Sequence, residues 1–378
     1  MSASKPNALI VGGGIYGLTT AWALARRGFK VTVLEAGSLP NPRGSSYDEH
    51  RIVRHAYGKL EGYARLMPAA FKVWDRLWAD LGRSHLAPIG ATYFVRHDDN
   101  WFDPTIRALD EMEIGYRLVP LEDVPTRFPM IEPDGLQIVV ETEGAGMLFP
   151  MRILNDLVVH LSAVGVELVT GAQVDAIDPE RGRAVVGDTM YEADQLVVCT
   201  GPWIDRLVPD LKGAAVPSRQ AVLYLAQQAE LAEAWSRAPV IVTRGREGGL
   251  YTMPPREGMR FKVGDHRFSL EGDPDGDRVP TERDIERVRT LFDEGFRLSG
   301  QYRPLEAKAC YYTVTGDEAF IVKPLGARAH YVSACSGHGF KLSALVADRI
   351  AARLTGEIDD ATLTAYCAAW PLPEGTVA

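Results

Sequence analysis

The chain has 378 residues, 46% of them hydrophobic and 24% charged, with a formal net charge of −9. That length and apolar content suffice for a large core shared by two domains. The acidic balance offers no basic footprint for nucleic acid, no apolar run approaches the ~18 residues of a membrane span, and four scattered cysteines without a C-x-x-C pair argue against a zinc site or disulfide framework.

An anionic small molecule stays possible, because local side chains set the potential in a cleft. Residues 1–6 show no secretory pattern, and the sparse cysteines fit a reducing cytoplasm. The expectation is a cytoplasmic, metal-free, small-molecule enzyme. Residues 8–11 read as an apolar strand, 15–27 as a helix stopped by Gly28, and 30–34 as a second strand ending in Glu35. Between the first strand and the helix, Gly12, Gly14 and Gly17 fit G-x-G-x-x-G in the context the pattern needs. The first glycine permits the tight turn, and the second lets backbone approach a pyrophosphate. The third packs helix on strand, with the phosphates at the helix N-terminus. Glu35 is placed to accept hydrogen bonds from an adenosine ribose. This predicts a dinucleotide site, with NAD and FAD equally open.

Residues 37–46, rich in turn formers, read as a loop. His50, Arg51, Arg54 and His55 then crowd four cationic or potentially cationic side chains into six residues. A solvated helix face and a binding segment compete evenly there. Leu66, Ala70, Val73, Trp74 and Leu77 mark an amphipathic helix reaching about Leu81. Residues 88–95 alternate like a strand, 101–112 are helical, 121–129 connect, and 136–140 form another strand. A helix over 152–164, a strand over 166–170 and a small β-meander over 173–177 and 184–186 follow. Residues 195–199 are nearly all apolar, as in a strand buried on both faces. They end at Thr200-Gly201-Pro202-Trp203, beside the first glycines if the strand is parallel to the first.

Residues 215–226, 240–243, 249–253, 259–263 and 305–314 read as an antiparallel sheet. A helix over 281–296 is capped by Thr281 with Asp284 three residues on. Residues 331–335 resemble a further dinucleotide-domain strand, 340–353 form a helix, and 360–370 a last one. The predicted fold class is α/β with an α+β second domain. A discontinuous Rossmann-like cofactor domain takes 1–84, 145–212 and 325–378, and a mainly antiparallel substrate domain takes 85–144 and 213–324. Gly337 and Gly339 make a second glycine turn at the mouth of a C-terminal helix. A nicotinamide needs no such turn. A flavin does, because a helix N-terminus stabilises the anion at N1 of its reduced ring.

Four separated segments then carry a resemblance. They are the N-terminal fingerprint, Arg51-Ile52-Val53-Arg54-His55-Ala56-Tyr57-Gly58, Cys310-Tyr311-Tyr312-Thr313, and Ser336-Gly337-His338-Gly339-Phe340-Lys341. On these the chain resembles, over nearly its whole length, the monomeric sarcosine oxidase and N-methyltryptophan oxidase group of the D-amino-acid-oxidase-like flavoproteins. The resemblance implies FAD between the two domains, with a thioether from Cys310 to the flavin 8α-methyl. Ile15, Tyr16, Ser45, Val174, Gly201 and Trp203 would join Glu35 and the glycines of both turns around it. Arg54 and Lys341 would hold the substrate carboxylate, with Lys341 also beside the flavin. Lys262 would be the fixed positive charge that activates O2, and Arg51 would lie close to the flavin. Tyr251, His266 and Tyr312 would line the substrate cavity.

Tyr47 and Lys59 depart from the histidine and glutamate of the resembled enzymes, and residues 251–255 also differ. The implied function is FAD-dependent oxidation, by O2, of a small secondary amino acid with an N-methyl or cyclic amine. Its products are an imine or aldehyde and H2O2. The implied enzyme is a monomer with no membrane or nucleic-acid partner. A primary amino acid, pipecolate or a sugar-amine adduct stays open as substrate, and a dehydrogenase with a non-oxygen acceptor as the activity. A flavin-bound tRNA-modifying module is the rival that the acidic charge disfavours.

Overall fold

Two large sheets meet along a cleft in the computed structural model, which describes residues 5–98 and 100–371. Residues 1–4 and 372–378, assigned above to the cofactor domain, and residue 99 of the second domain lie outside the described residues. The first sheet runs in the order Ile321–Pro324, Ala329–Ser333, Gln195–Val198, Asn7–Val11, Lys30–Glu35, Glu167–Thr170. All its neighbours pair in parallel except Ile321–Pro324, which runs antiparallel along Ala329–Ser333 at the edge.

Strand pleating explains why Asn7–Val11 reads as a continuous apolar run. Ala8 and Ile10 point into a helical layer with Leu18, Trp22 and Leu345, whereas Leu9 and Val11 point into an opposite layer with Ala184 and Val198. The helical layer is Ile15–Arg26, Glu61–Leu81, Pro150–Ala163 and Ser343–Leu354. The opposite layer includes a meander of Ala176–Asp178, Arg183–Val186 and Thr189–Glu192. Because the strands are parallel, their carboxyl ends gather at one edge, where such sheets bind ligands.

The second sheet has eight strands, in the order Arg303–Val314, Val216–Ala226, Phe261–Asp265, Gly248–Met253, Val240–Gly245, Ala91–Val95, Ile138–Thr142, Tyr116–Leu118. Its pairs are antiparallel except Ala91–Val95 with Val240–Gly245. Ile241, Leu250, Phe261 and Val263 pack against Phe292 of the covering helix Glu282–Gly295. That helix starts in a capping box, with the Asp284 amide donating to Thr281 Oγ1 (3.2 Å) and the Thr281 amide to Asp284 Oδ2 (3.1 Å). Alternation sends Val242, Tyr251 and Lys262 to the other face, which looks towards the cofactor domain.

The structure departs from the sequence reading in four elements. Residues 51–53 form a strand, Arg51–Val53, and no solvated helix face. The strand pairs with Gly146–Leu148, Val53 is fully buried, Arg51 and Arg54 turn towards the clefts, and His50 and His55 are buried without lining either. Gly146–Leu148, three residues long and absent from that reading, also pairs with Leu86–Ala87. Residues 88–95 do not continue as one alternating strand. A break at Gly90 (φ +74°) precedes Ala91–Val95, which is buried at every position. Ile321–Pro324, left above in the second domain, hydrogen-bonds within the first sheet.

Candidate active site

The carboxyl edge of the parallel sheet opens on a cleft of about 300 Å3. Gly12 has φ +104°, and a Cβ there would lie 2.5 Å from the Cys199 carbonyl oxygen, so the turn admits only glycine. A Cβ on Gly17 would lie 1.8 Å from the Gly12 carbonyl oxygen. Gly17 therefore serves helix-to-strand contact and is not among the residues lining the cleft. Gly14 caps Ile15–Arg26 without a side-chain cap, and the first turn holds no acidic residue. One first-turn amide, that of Ile15, donates to Ser46 Oγ (3.0 Å). The positive end of the helix thus faces the cleft, as suits a pyrophosphate.

Glu35 ends the second strand, and its carboxylate accepts from the Gly13 amide (2.7 Å), the Gly37 amide (2.8 Å) and Asn41 Nδ2 (2.8 Å). Each carboxylate oxygen has more than one acceptor site, so these protein donors orient Glu35 without exhausting it for a ribose hydroxyl. Ile15, Tyr16, Val174, Gly201, Trp203 and Ser45 all line this cleft, and Gly337 and Gly339 close its far end. Arg43, Arg51 and Arg206 add positive charge along it. A glycine cradle, an uncapped helix start and a buried acid at the ribose end fit FAD. Gly337 (φ +75°) and Gly339 lie beside Tyr312 and Tyr16, where a Cβ would come within 2.8 and 2.5 Å of those rings.

A second cavity, of about 280 Å3, adjoins the first through Arg51, Tyr312, Gly337 and Phe340, which line both. Arg54 and Lys341 meet in it over one ring. The Arg54 guanidinium carbon lies 4.9 Å and Lys341 Nζ 4.8 Å from the centre of Tyr57. Arg54 Nε is buried without a hydrogen-bond partner, and among the described residues no carboxylate pairs with either cation. Burial, reinforced by Arg54, holds the Lys341 ammonium well below the ordinary lysine range. Burial also pulls His266 down to about 3, with Arg54, Arg244 and Lys341 adding to the effect, so its ring is neutral near pH 7. Tyr251 stands 5.2 Å from that ring, and Glu318 lines the same cavity with its carboxyl pKa raised by burial.

Lys262 lines this cavity too and is fully buried. Its Nζ donates to Asp48 Oδ2 (2.5 Å) and to the His50 carbonyl oxygen (3.2 Å), and lies 6.0 Å from the Tyr251 ring centre. Asp48 also pairs with Arg51 and accepts from the Tyr224 hydroxyl. Cys310 is half-buried and lines neither cavity. It sits on Arg303–Val314 opposite Gln220, which lines the second cavity, and within electrostatic reach of Arg51, Lys262 and Lys308. The Ser45 hydroxyl donates to the Tyr311 carbonyl oxygen and so ties the residue after Cys310 to the cofactor loop.

The structure thus brings Arg51, Arg54, Tyr251, Lys262, His266, Tyr312 and Lys341 to one cavity, although Lys341 does not line the cofactor cleft. Tyr47 lines neither cavity, and its carbonyl oxygen accepts from Lys308 Nζ (3.0 Å). Lys59 does line the second cavity. Sequence reading missed Asp48 as a partner of Lys262, because the two stand 214 positions apart. It also gave no role to Tyr57, whose position between Arg54 and Lys341 no local pattern announces.

A parallel sheet with a glycine cradle, joined through a cationic junction to a second cavity, defines an FAD-dependent oxidoreductase. The chain belongs to the FAD dependent oxidoreductase family, matched over residues 7–353. It is 26% identical to monomeric sarcosine oxidase of Bacillus sp. (strain B-0618) over 366 residues, covering 93% of both chains. It is 25% identical to N-methyl-L-tryptophan oxidase of Yersinia pestis (strain Pestoides F) over 342 residues, covering 89% of this chain and 91% of that one. The fold is also similar to L-proline dehydrogenase from P.horikoshii, with a TM-score of 0.80 at 18% identity and 97% of each chain covered. Among the described residues no helix is long and apolar enough to cross a membrane.

Proposed function

We propose that the protein is an oxidase of a small secondary amino acid, sarcosine-like or cyclic, that yields an imine and H2O2. The observation carrying this reading is the pair Arg54 and Lys341, two cations over one ring with no protein carboxylate bonded to either among the described residues, beside the cofactor cleft. A guanidinium fork and an ammonium in a dry cavity suit a substrate carboxylate. The names of the two relatives, a sarcosine oxidase and an N-methyl-L-tryptophan oxidase, support the substrate class.

FAD, when bound, would accept the hydride equivalent lost from the carbon next to the amine nitrogen as the C=N bond forms and the nitrogen gives up its proton, and O2 would take on the two electrons and two protons as H2O2. The protein's part is placement and charge. Arg54 and Lys341 fix the carboxylate, which turns the amine towards the junction of Arg51, Tyr312, Gly337 and Phe340. The same cations lower the pKa of a bound amine, which favours the neutral form whose lone pair drives the oxidation. His266, uncharged, offers an acceptor nitrogen without adding a third positive charge to that site. Lys262 is the cation placed to stabilise negative charge developing on O2. A peroxide-release screen over sarcosine, other N-methyl amino acids, proline, pipecolate, primary amino acids and a fructosyl amine tests the reading. The strongest peroxide signal is expected from a secondary amino acid. Reduction of a dye without peroxide would replace the oxidase with a dehydrogenase.

The same reading includes a covalent flavin at Cys310, supported by its place on Arg303–Val314 opposite Gln220, a residue of the second cavity. Acid precipitation of the intact protein is expected to leave the yellow colour in the pellet, and Cys310→Ala to release it to the supernatant. A yellow supernatant from the unaltered protein removes the link.

A further inference from the structure

Lys262 is a fully buried ammonium on a strand whose neighbours, Phe261 and Val263, face an apolar core. A lysine in such a place tends to lose its proton, because burial penalises the charged form. A charged Lys262 therefore needs a partner, and the groups around it can be taken element by element. The loop before Arg51–Val53 brings Asp48, Glu49 and His50. Burial takes His50 down to about 3, so it is neutral. Glu49 is committed to Arg260, accepting from its amide (2.9 Å) and from its Nε (2.6 Å). Strand Arg51–Val53 brings Arg51, a second cation, and Val216–Ala226 brings the Tyr224 hydroxyl, which is spent on Asp48. Gly248–Met253 presents the Tyr251 ring, and Arg303–Val314 contributes Lys308 and Cys310. Asp48 is thus the carboxylate bonded to Lys262 Nζ, at 2.5 Å.

We propose that Asp48 is a positioning residue that keeps Lys262 protonated and aimed at the junction between the two cavities. This rests on the reading of Lys262 as the cation of the oxygen step. Asp48 is buried and receives four donors, the Arg51 guanidinium, Lys262 Nζ, the Tyr224 hydroxyl and the Glu49 amide (2.8 Å). Two cations on one carboxylate leave one positive charge over, so Asp48 binds Lys262 in place without cancelling the field at the junction. Burial and then Arg51 press Lys262 towards its neutral form, and the Asp48 carboxylate bonded to its Nζ is placed to oppose them.

The test is the pH dependence of unfolding of the purified, FAD-loaded protein in urea. On this proposal Lys262 carries its proton in the folded and the unfolded chain while Asp48 is present, and contributes no slope between pH 7.5 and 9.5, a window lying below the ordinary lysine value of about 10.4. In Asp48→Asn the folded chain holds Lys262 neutral while the unfolded chain protonates it. The unfolded state then binds one more proton, so stability falls as pH falls. The unfolding constant of Asp48→Asn relative to the unaltered protein is expected to rise about tenfold for each pH unit lowered. In Asp48→Asn/Lys262→Met the slope is expected to vanish. A profile of Asp48→Asn parallel to that of the unaltered protein overturns the proposal, and so does a slope that survives the second substitution. Should Asp48→Asn fail to fold, recovery of folded Asp48→Asn/Lys262→Met supports the proposal, and failure of that double variant overturns it. In the holoenzyme, the O2 reaction of Asp48→Asn is expected to be slow throughout the same window, because the folded variant already holds Lys262 neutral there. An O2 rate that is unchanged in Lys262→Met overturns the oxygen-step reading, while the unfolding slopes still decide the pairing.

Discussion

Replacing Arg54 with alanine is expected to lower kcat/KM for an amino acid substrate by about two to three orders of magnitude, chiefly through KM. Truncating one partner of a buried charge pair costs about 2–5 kcal/mol, and each ~1.4 kcal/mol is a factor of ten. The case for so large an effect is the state of Arg54 in the free protein. Its Nε is buried and unpartnered, its guanidinium leans on the Tyr57 ring, and among the described residues no carboxylate forms an ion pair with it, although Glu318 of the same cavity lies within electrostatic reach. Part of that side chain is already out of water at Nε, so an arriving substrate carboxylate meets a guanidinium that is not committed to another acid. Arg54→Lys should recover part of the loss, because it restores the charge without the fork. Lys341 sharpens the pH dependence. Its depressed pKa means that the cation is lost from the free protein at lower pH than an ordinary lysine, so substrate affinity should weaken as pH rises. Steady-state kinetics of both variants across pH check this, and an unchanged KM in Arg54→Ala removes the residue from the site.

Lys262→Met is expected to slow the reaction with O2 by about two to three orders of magnitude, the effect of removing one preorganised group from a developing charge. Reduction by substrate should change by less than about tenfold, because Lys262 is separate from the Arg54 and Lys341 pair that would hold the substrate. Lys262 is set apart from an ordinary strand lysine by complete burial, its bond to Asp48, and a place on the wall of the cavity that adjoins the cofactor cleft. Stopped-flow traces of the two half-reactions measure both effects. Equal losses in the two would show that Lys262 supports the site as a whole and has no special part in the oxygen step.

The two expectations differ in how they could be reached from the sequence. Arg54 stands in Arg51-Ile52-Val53-Arg54, a cluster whose charges are visible at once but whose secondary structure is not. A helical reading exposes the cluster to solvent, whereas the observed strand buries Val53 and turns Arg51 and Arg54 to the clefts. The deciding partner, Gly146–Leu148, lies about a hundred residues away and is only three residues long, too short to leave a periodic trace. Ile321–Pro324, not read as a strand from the sequence, is missed for the same reason. A short strand belongs to whichever edge accepts its backbone, and here that edge is Ala329–Ser333.

What the sequence determined by itself is local and strongly patterned. The strand, glycine turn, helix and strand over residues 7–35 follow from apolar runs and from Gly12 and Gly17, where a Cβ would strike backbone. The capped helix Glu282–Gly295 follows from Thr281 and Asp284 in the same way. Tertiary structure alone decided which charges meet. Arg54, Lys262 and Lys341 come from three distant parts of the chain, and Asp48 reaches Lys262 across 214 positions. Period and propensity act within a turn or a strand, whereas a buried charge selects its counter-charge only after the two sheets have packed. The site's chemistry was therefore visible in its residue types, and its pairing was settled by the fold.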